Sequence, residues 1–200
     1  MLDAPVRKAM APSLDAVGAR LARAGVHAIT LTGAGWVAGL GACLAVATGH
    51  WNLGLALWLL NRLLDGLDGP VARQRGATDV GGFLDIMADF SIYAGFVLAW
   101  AIAVPEARLA MVTLLTAYYL SGCAFLAVSS LAERRRAHLG DGRSLRFVGG
   151  LAEGTETVVV YILFCLFPGY VAQIAWVFAA AVAVTAVQRV VAGVRLLRRP

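Results

Sequence analysis

The stretch NRLLDGLDGPVARQRGATDVGGFLDIMADF, residues 61–90, sets four aspartates into two apolar segments. Asp65 and Asp68 are three apart and share one face of a helix. Asp85 and Asp89 are four apart and share a face of the next. Only 14 residues run from Trp51 to the position before Asp65, Asn61 and Arg62 among them. Crossing a bilayer takes about 20 largely apolar residues, so the helix that begins near Trp51 must continue through its acids. Its carboxylates then lie at membrane depth, where an ionised group is costly and faces a polar cavity or a partner.

Four carboxylates packed together repel, and without a cation some would take up protons. Oxygen ligands with no His or Cys suit magnesium or manganese rather than zinc. Two such ions would bridge a pyrophosphate and stabilise charge on a leaving oxygen. Gly69 and Ala72 lie on or near the Asp65 face, where small side chains let a large group approach the backbone. Arg73, one turn beyond, is placed to neutralise phosphate oxygens. The alternative is a structural network of acids paired with Arg62, Arg73 and Arg75. Pairing alone does not ask for small residues between the acids.

Outward from this segment, the composition is that of a membrane protein. The 200 residues are 60% hydrophobic and 14% charged, against roughly 25% charged in soluble domains. The net charge of +5 comes from basic residues between apolar runs, a pattern of orientation against anionic lipid rather than of nucleic-acid binding. Six spans are expected: about Ile29–Ala47, Trp51 into the Asp65 region, Gly81–Val104, Leu109–Leu131, Phe147–Phe167 and Tyr170–Leu197. Ahead of them, Val6, Met10, Leu14, Val17 and Leu21 recur at spacings of three and four. Arg7, Lys8, Arg20 and Arg23 fall mostly elsewhere on the wheel, which predicts an interfacial amphipathic helix. The expected organisation is that helix over residues 1–26 and one six-span domain over 27–200, all α-helical. The N-terminus has no signal-peptide core and is expected to be retained.

Charge predicts the topology. Arg73, Arg75, Arg134, Arg135, Arg136, Arg143 and Arg146 fall in connections two-to-three and four-to-five, and both termini are basic. The turns at Gly49-His50 and Pro168-Gly169 have no Lys or Arg, and the three-to-four turn has only Arg108. Both termini, both basic connections and the aspartate cluster are thus expected at the cytoplasmic face. Cys43, Cys123 and Cys165 sit in apolar runs without metal-ligand spacing and read as small hydrophobes. The pairs Gly35/Gly39 and Gly150/Gly154 fit close helix packing within the chain. They are compatible with a homodimer but do not argue for one.

The pattern Asp65-x-x-Asp68-Gly69-x-x-Ala72-Arg73, then Gly81-x-x-x-Asp85-x-x-x-Asp89, resembles the signature of the CDP-alcohol phosphatidyltransferase family, with eight specified positions in order. The six spans and N-terminal helix extend the resemblance over nearly the whole chain. One departure is a spacer of seven residues, Gln74 to Val80, where the family signature has eight. The missing residue is best placed in the Arg75–Thr78 turn. The resemblance implies that Asp65, Asp68 and Asp85 are metal ligands, and that Asp89 is both close to a second ion and the general base for the acceptor hydroxyl. It implies that Gly69, Ala72 and Arg73 form the CDP site, with Thr78 beside them. The family's polar Asn-x-x-Thr finds its nearest counterpart in His27-Ala28-Ile29-Thr30, which makes Thr30 a nucleotide candidate. The implied reaction transfers a phosphatidyl group from a CDP-linked lipid, CDP-diacylglycerol by preference, to an alcohol, with release of CMP.

The acceptor is not fixed by the motif. Arg134, Arg143 and Arg146 serve either topology or a phosphorylated acceptor. Arg189, deep in the sixth span, needs a partner or a phosphate. Together they tilt the reading towards a phosphorylated polyol. Glu153 and Glu156 are expected to pair with arginines, cap a helix or meet an amine. Two rivals remain. An intramembrane prenyltransferase also uses aspartates and magnesium but lacks this Gly and Ala-Arg placement. A cation transporter would spread its acids over several spans.

Overall fold

Long apolar runs separated by short Gly- or Pro-bearing turns favour helix throughout. The computed structural model, which describes residues 3–134 and 150–198, is all-helical over them. The helices are α1 (Asp3–Arg23), α2 (Ala28–Ala47), α3 (Trp51–Arg75), α4 (Asp79–Ala103), α5 (Arg108–Arg134), α6 (Gly154–Leu166) and α7 (Val171–Arg198). Single 3₁₀ turns at Pro105–Ala107 and Pro168–Tyr170 lead into α5 and α7.

The turn between α3 and α4 matters most for the site. α3 stops at Gly76, whose φ of 100° is one that a side chain rarely tolerates. α4 starts at Thr78, whose hydroxyl accepts from the Gly81 amide at 3.1 Å, an N-cap that satisfies an otherwise orphaned donor. The chain thus reverses within three residues, and side chains of the two acid-bearing helices reach each other.

Among the described residues, four segments are long and apolar enough to cross a membrane: Ala28–Ala47, Asp79–Ala103, Pro105–Ala132 and Pro168–Leu196. The two other expected spans differ for separate reasons. α3 is 25 residues long, but its second half carries the acids and arginines. α6 has 13 residues, and the first part of the expected Phe147–Phe167 span lies outside the described residues. The exterior is widely apolar, with Leu44, Leu109 and Val177 each about two-thirds exposed or more. A continuous apolar exterior of this kind is what lipid covers.

α2 packs between α3 and α4, α5 packs along α7, and α6 touches both α3 and α7. The core is aromatic: Trp58, Phe96, Trp100, Tyr161 and Phe164 are fully buried. The Phe96 and Tyr161 rings stack at 4.7 Å, and Trp51 stacks on Trp100 at 4.6 Å. Since lipid tails are as apolar as these rings, such helices associate through close packing rather than escape from water. Glycines permit it. A Cβ on Gly39 would fall 2.8 Å from Ile92 of α4, and one on Gly35 would fall 3.3 Å from Leu64 of α3. This small-residue pair is therefore used inside the chain.

α1 lies along the end of α3 that carries Asp68. Leu14 and Leu21 join Leu31, Leu67 and Val71 in a small apolar cluster, while Met10 and Val17 stay exposed. Gly18 sits against Pro70, where a Cβ would come within 2.5 Å of the ring. Pro70 is itself inside α3 and leaves the Gly66 carbonyl without its usual donor.

Candidate active site

The acid-bearing side chains of α3 and α4 converge beside α2. Carboxylate oxygens of Asp65, Asp68 and Asp85 lie within 4.8 Å of one another. Two oxygens on opposite sides of a magnesium ion at about 2.1 Å stand about 4.2 Å apart, so small side-chain rotations would let all three hold one cation. The donor set, oxygen alone, fits a hard divalent ion.

Asp68 is buried and its orientation is fixed by the neighbouring helix. The Thr32 hydroxyl of α2 donates to Asp68 Oδ2 at 2.6 Å. Thr32 therefore does for Asp68 what an outer-shell partner does for a metal ligand. The expected nucleotide residue Thr30, two positions earlier, is exposed. The polar contact that α2 makes with the acids comes from Thr32, which the sequence reading passed over.

Asp89 is placed differently. It stands outside the group of three, and Arg62 Nη2 donates to its Oδ1 at 2.8 Å. The same guanidinium reaches Asp65 Oδ2 at 3.4 Å, the Tyr93 hydroxyl at 2.8 Å and, through Nε, the Asn61 Oδ1 at 2.7 Å. Asn61 is buried and anchored by its Nδ2 to the Gly35 carbonyl at 2.8 Å. Thr32, Gly35, Trp36, Asn61, Asp65, Ala88 and Asp89 line a narrow cleft between α2, α3 and α4. Trp36 closes one edge, its Nε1 donating to Ser91 Oγ at 2.9 Å.

The proposed structural network is present in one part only. Arg62 pairs with Asp65 and Asp89, but Arg73 pairs with Asp15 of α1 at 2.7 Å, and Arg75 donates to the Ala22 carbonyl at 2.9 Å. Arg73 is mostly exposed, so it remains accessible to a ligand at the membrane surface. Gly69 lies one turn before it, and the nearest atom to a Cβ built there is Arg73 Nη1 at 3.6 Å. The backbone at Gly69 is thus open to an approaching group, as is half-buried Ala72 beside it. Thr78 is exposed and caps α4.

The acceptor candidates divide. Arg189 is buried in α7, where Nη1 donates to Ser121 Oγ at 2.8 Å and the guanidinium lies over Phe125. These contacts tie it to α5. Arg143 and Arg146 lie outside the described residues, and Arg134 closes α5. Glu153 and Glu156 belong to the start of α6: Glu156 Oε2 accepts from the Glu153 amide at 3.1 Å, part of a capping box.

Comparison with known proteins agrees with this geometry. The chain is 40% identical over 205 aligned positions to the Escherichia coli (strain K12) inner membrane protein YnjF, covering 99% of this chain and 98% of that one. It is an integral membrane protein. The fold matches Mycobacterium tuberculosis phosphatidylinositol phosphate synthase solved with CDP-DAG bound, with a TM-score of 0.70, 24% identity, and coverage of 90% of this chain and 92% of that one. The same synthase with manganese and citrate matches at TM-score 0.70 and 23% identity over 90% and 88% of the two chains. The family model for CDP-alcohol phosphatidyltransferases matches residues 26–188, a range that contains all four aspartates, Gly69 and Arg73, and on that match the chain belongs to the CDP-alcohol phosphatidyltransferase family.

Proposed function

We propose that this enzyme transfers the phosphatidyl group of CDP-diacylglycerol to a small alcohol, with a phosphorylated polyol as the favoured acceptor, and releases CMP. The observation that carries the reading is the convergence of Asp65, Asp68 and Asp85 from two helices, with Asp89 beside them, in a chain of this family. A related fold captured with CDP-DAG supports the donor.

Asp65, Asp68 and Asp85 would hold the first of two divalent ions, magnesium or manganese, and Asp89 would adjoin the second. Bound there, such ions offset charge on the diphosphate and on the departing CMP oxygen. The chain's own residues do the rest. Gly69 and Ala72 admit the CDP group to the α3 backbone. Arg73 engages phosphate oxygens, and Thr78 and Thr30 border the nucleotide. Asp89 accepts the proton of the acceptor hydroxyl as its oxygen bonds to the lipid phosphorus, and the bond from that phosphorus to the CMP oxygen breaks. Arg189, with Arg134, Arg143 and Arg146, would meet the acceptor phosphate.

In this reading the chain has six spans, α2 to α7, with α1 lying in the interface. The acids and both termini face the cytoplasm, because the Lys and Arg residues gather there. The apolar exterior supports the spans, and the exposed Met10 and Val17 of α1 support an interfacial position. Thiol labelling of a single cysteine at position 140 should fail from outside intact cells. Ready labelling there would overturn the orientation.

The test of the reaction is CMP release from radiolabelled CDP-diacylglycerol in detergent-purified enzyme, across a panel of acceptors. Glycerol 3-phosphate and inositol phosphate should outpace their unphosphorylated parents. Chelation with EDTA should abolish release, and magnesium or manganese should restore it. Absence of acceptor-dependent CMP release would exclude the transferase reading in favour of a prenyl diphosphate substrate or cation passage.

A further inference from the structure

Arg62 is unusual for a side chain at membrane depth. Its own side chain is only 11% exposed. The guanidinium sits 4.8 Å from the Trp58 ring centroid and 5.0 Å from that of Tyr93. Each nitrogen has a fixed acceptor: Asn61 Oδ1 for Nε, the Tyr93 hydroxyl for Nη1 and Asp89 Oδ1 for Nη2. Those acceptors are themselves anchored. Asn61 is tied to the Gly35 carbonyl, and the Tyr93 backbone carbonyl accepts from the Tyr161 hydroxyl at 2.8 Å. The cation is therefore part of the packed core and not a mobile arm.

Its position divides the four acids unequally. Within the Asp65–Asp68–Asp85 group, the neutral hydroxyl of Thr32 orients Asp68 and Arg62 reaches Asp65 only at 3.4 Å, whereas Asp89, outside the group, meets the same guanidinium at 2.8 Å. An Arg fork is rigid and always charged, so it cannot yield by losing its proton. A second cation near Asp89 meets this charge at close range in a medium that screens it weakly.

We propose that Arg62 is a built-in counter-ion and positioning residue that makes the two cation positions unequal. Before donor arrives, one divalent ion binds at Asp65, Asp68 and Asp85, while Arg62 holds Asp89 and excludes a second. The diphosphate of the donor supplies the negative charge that lets the second ion enter. The guanidinium also fixes Asp89 in place for proton acceptance. This inference rests on the metal-dependent reading above.

Manganese titration followed by electron paramagnetic resonance, on detergent-purified protein without donor, tests it apart from turnover. Wild type should bind one manganese tightly, with no signal from spin-coupled pairs. Arg62→Gln should admit a second manganese with an affinity raised by about tenfold or more, and coupled pairs should appear. Arg62→Lys keeps the charge and should remain at one ion. Two equivalent manganese ions in donor-free wild type would overturn the proposal without recourse to any variant. So would an Arg62→Gln isotherm that matches wild type. Failure of wild type to bind manganese, or binding that Asp85→Asn leaves unchanged, would instead defeat the metal-dependent reading on which the proposal stands.

Discussion

Two groups of helices carry arginines in their interiors, set in different surroundings. In α2–α3–α4, Arg62 contacts two carboxylates, a phenol and an amide, and glycines at 35 and 39 bring the three helices close enough for those contacts to form. In α5–α7, Arg189 donates to the hydroxyl and carbonyl of Ser121, and Gly193 of α7 packs against Val128 of α5. The first group gathers two carboxylates around its arginine at a cleft; in the second, the arginine's contacts with Ser121 and Phe125 reach across a helix pair. A charge inside a membrane protein is retained either because chemistry requires it or because it joins helices.

The largest expected effect lies at Asp89. Asp89→Asn keeps the size of the side chain but removes the proton acceptor, so single-turnover rates should fall by ~10²–10⁴-fold. Donor affinity, measured by CDP-diacylglycerol binding, should change little. A variant that turns over near the wild-type rate would break the assignment of the α2–α3–α4 group as the chemical half.

A smaller effect is expected at Thr32. Thr32→Val preserves the shape and removes the donor to Asp68, and loss of such an outer-shell contact typically weakens metal affinity by about 10–100-fold. Manganese titration reads this directly, and Thr32→Ser should restore most of it. Thr30→Val, on the exposed side of the same helix, should leave manganese affinity unchanged.

Ser121→Ala sharpens the comparison from the other side. It removes one hydrogen bond to a charged group, worth about 1.5–3 kcal/mol, while the Ser121 carbonyl still accepts from Arg189. The expected result is a lowered thermal midpoint in detergent with unchanged manganese affinity. A change in metal binding would show that the two helix groups are coupled rather than separable.

What was legible in the sequence follows the range of the interaction. Asp65 with Asp68, and Asp85 with Asp89, were readable as pairs because helical spacing of three or four fixes a shared face. That α3 continues past its acids followed from the length of a bilayer span, and α3 does run unbroken to Arg75. Thr32 was not readable, because its partner Asp68 is 36 positions away and nothing local distinguishes it from Thr30. Arg73 pairs with Asp15 across 58 positions, a contact created by α1 lying along α3. The resemblance gave Asp89 a role of its own, but which acid Arg62, 27 residues earlier, holds at the shortest distance was not legible. Residues in one turn of helix report on each other; residues joined by packing do so only once the helices are assembled.

The short reversal at Gly76 has a consequence for how this chain could change length. α3 is held by α2 and α1, and α4 by α2 and α5, so each acid pair is located by neighbours that do not pass through the turn. Gly76 and Ala77 are exposed, and a Cβ at Gly76 would meet nothing within 4 Å. Lengthening such a connection costs little entropy. A residue gained between Gly76 and Ala77 would therefore bulge towards water, while Asp65, Asp68, Asp85 and Asp89 kept their places. The seven-residue spacer is then a neutral length, open to drift by insertion in a stretch where neither helix would register the difference.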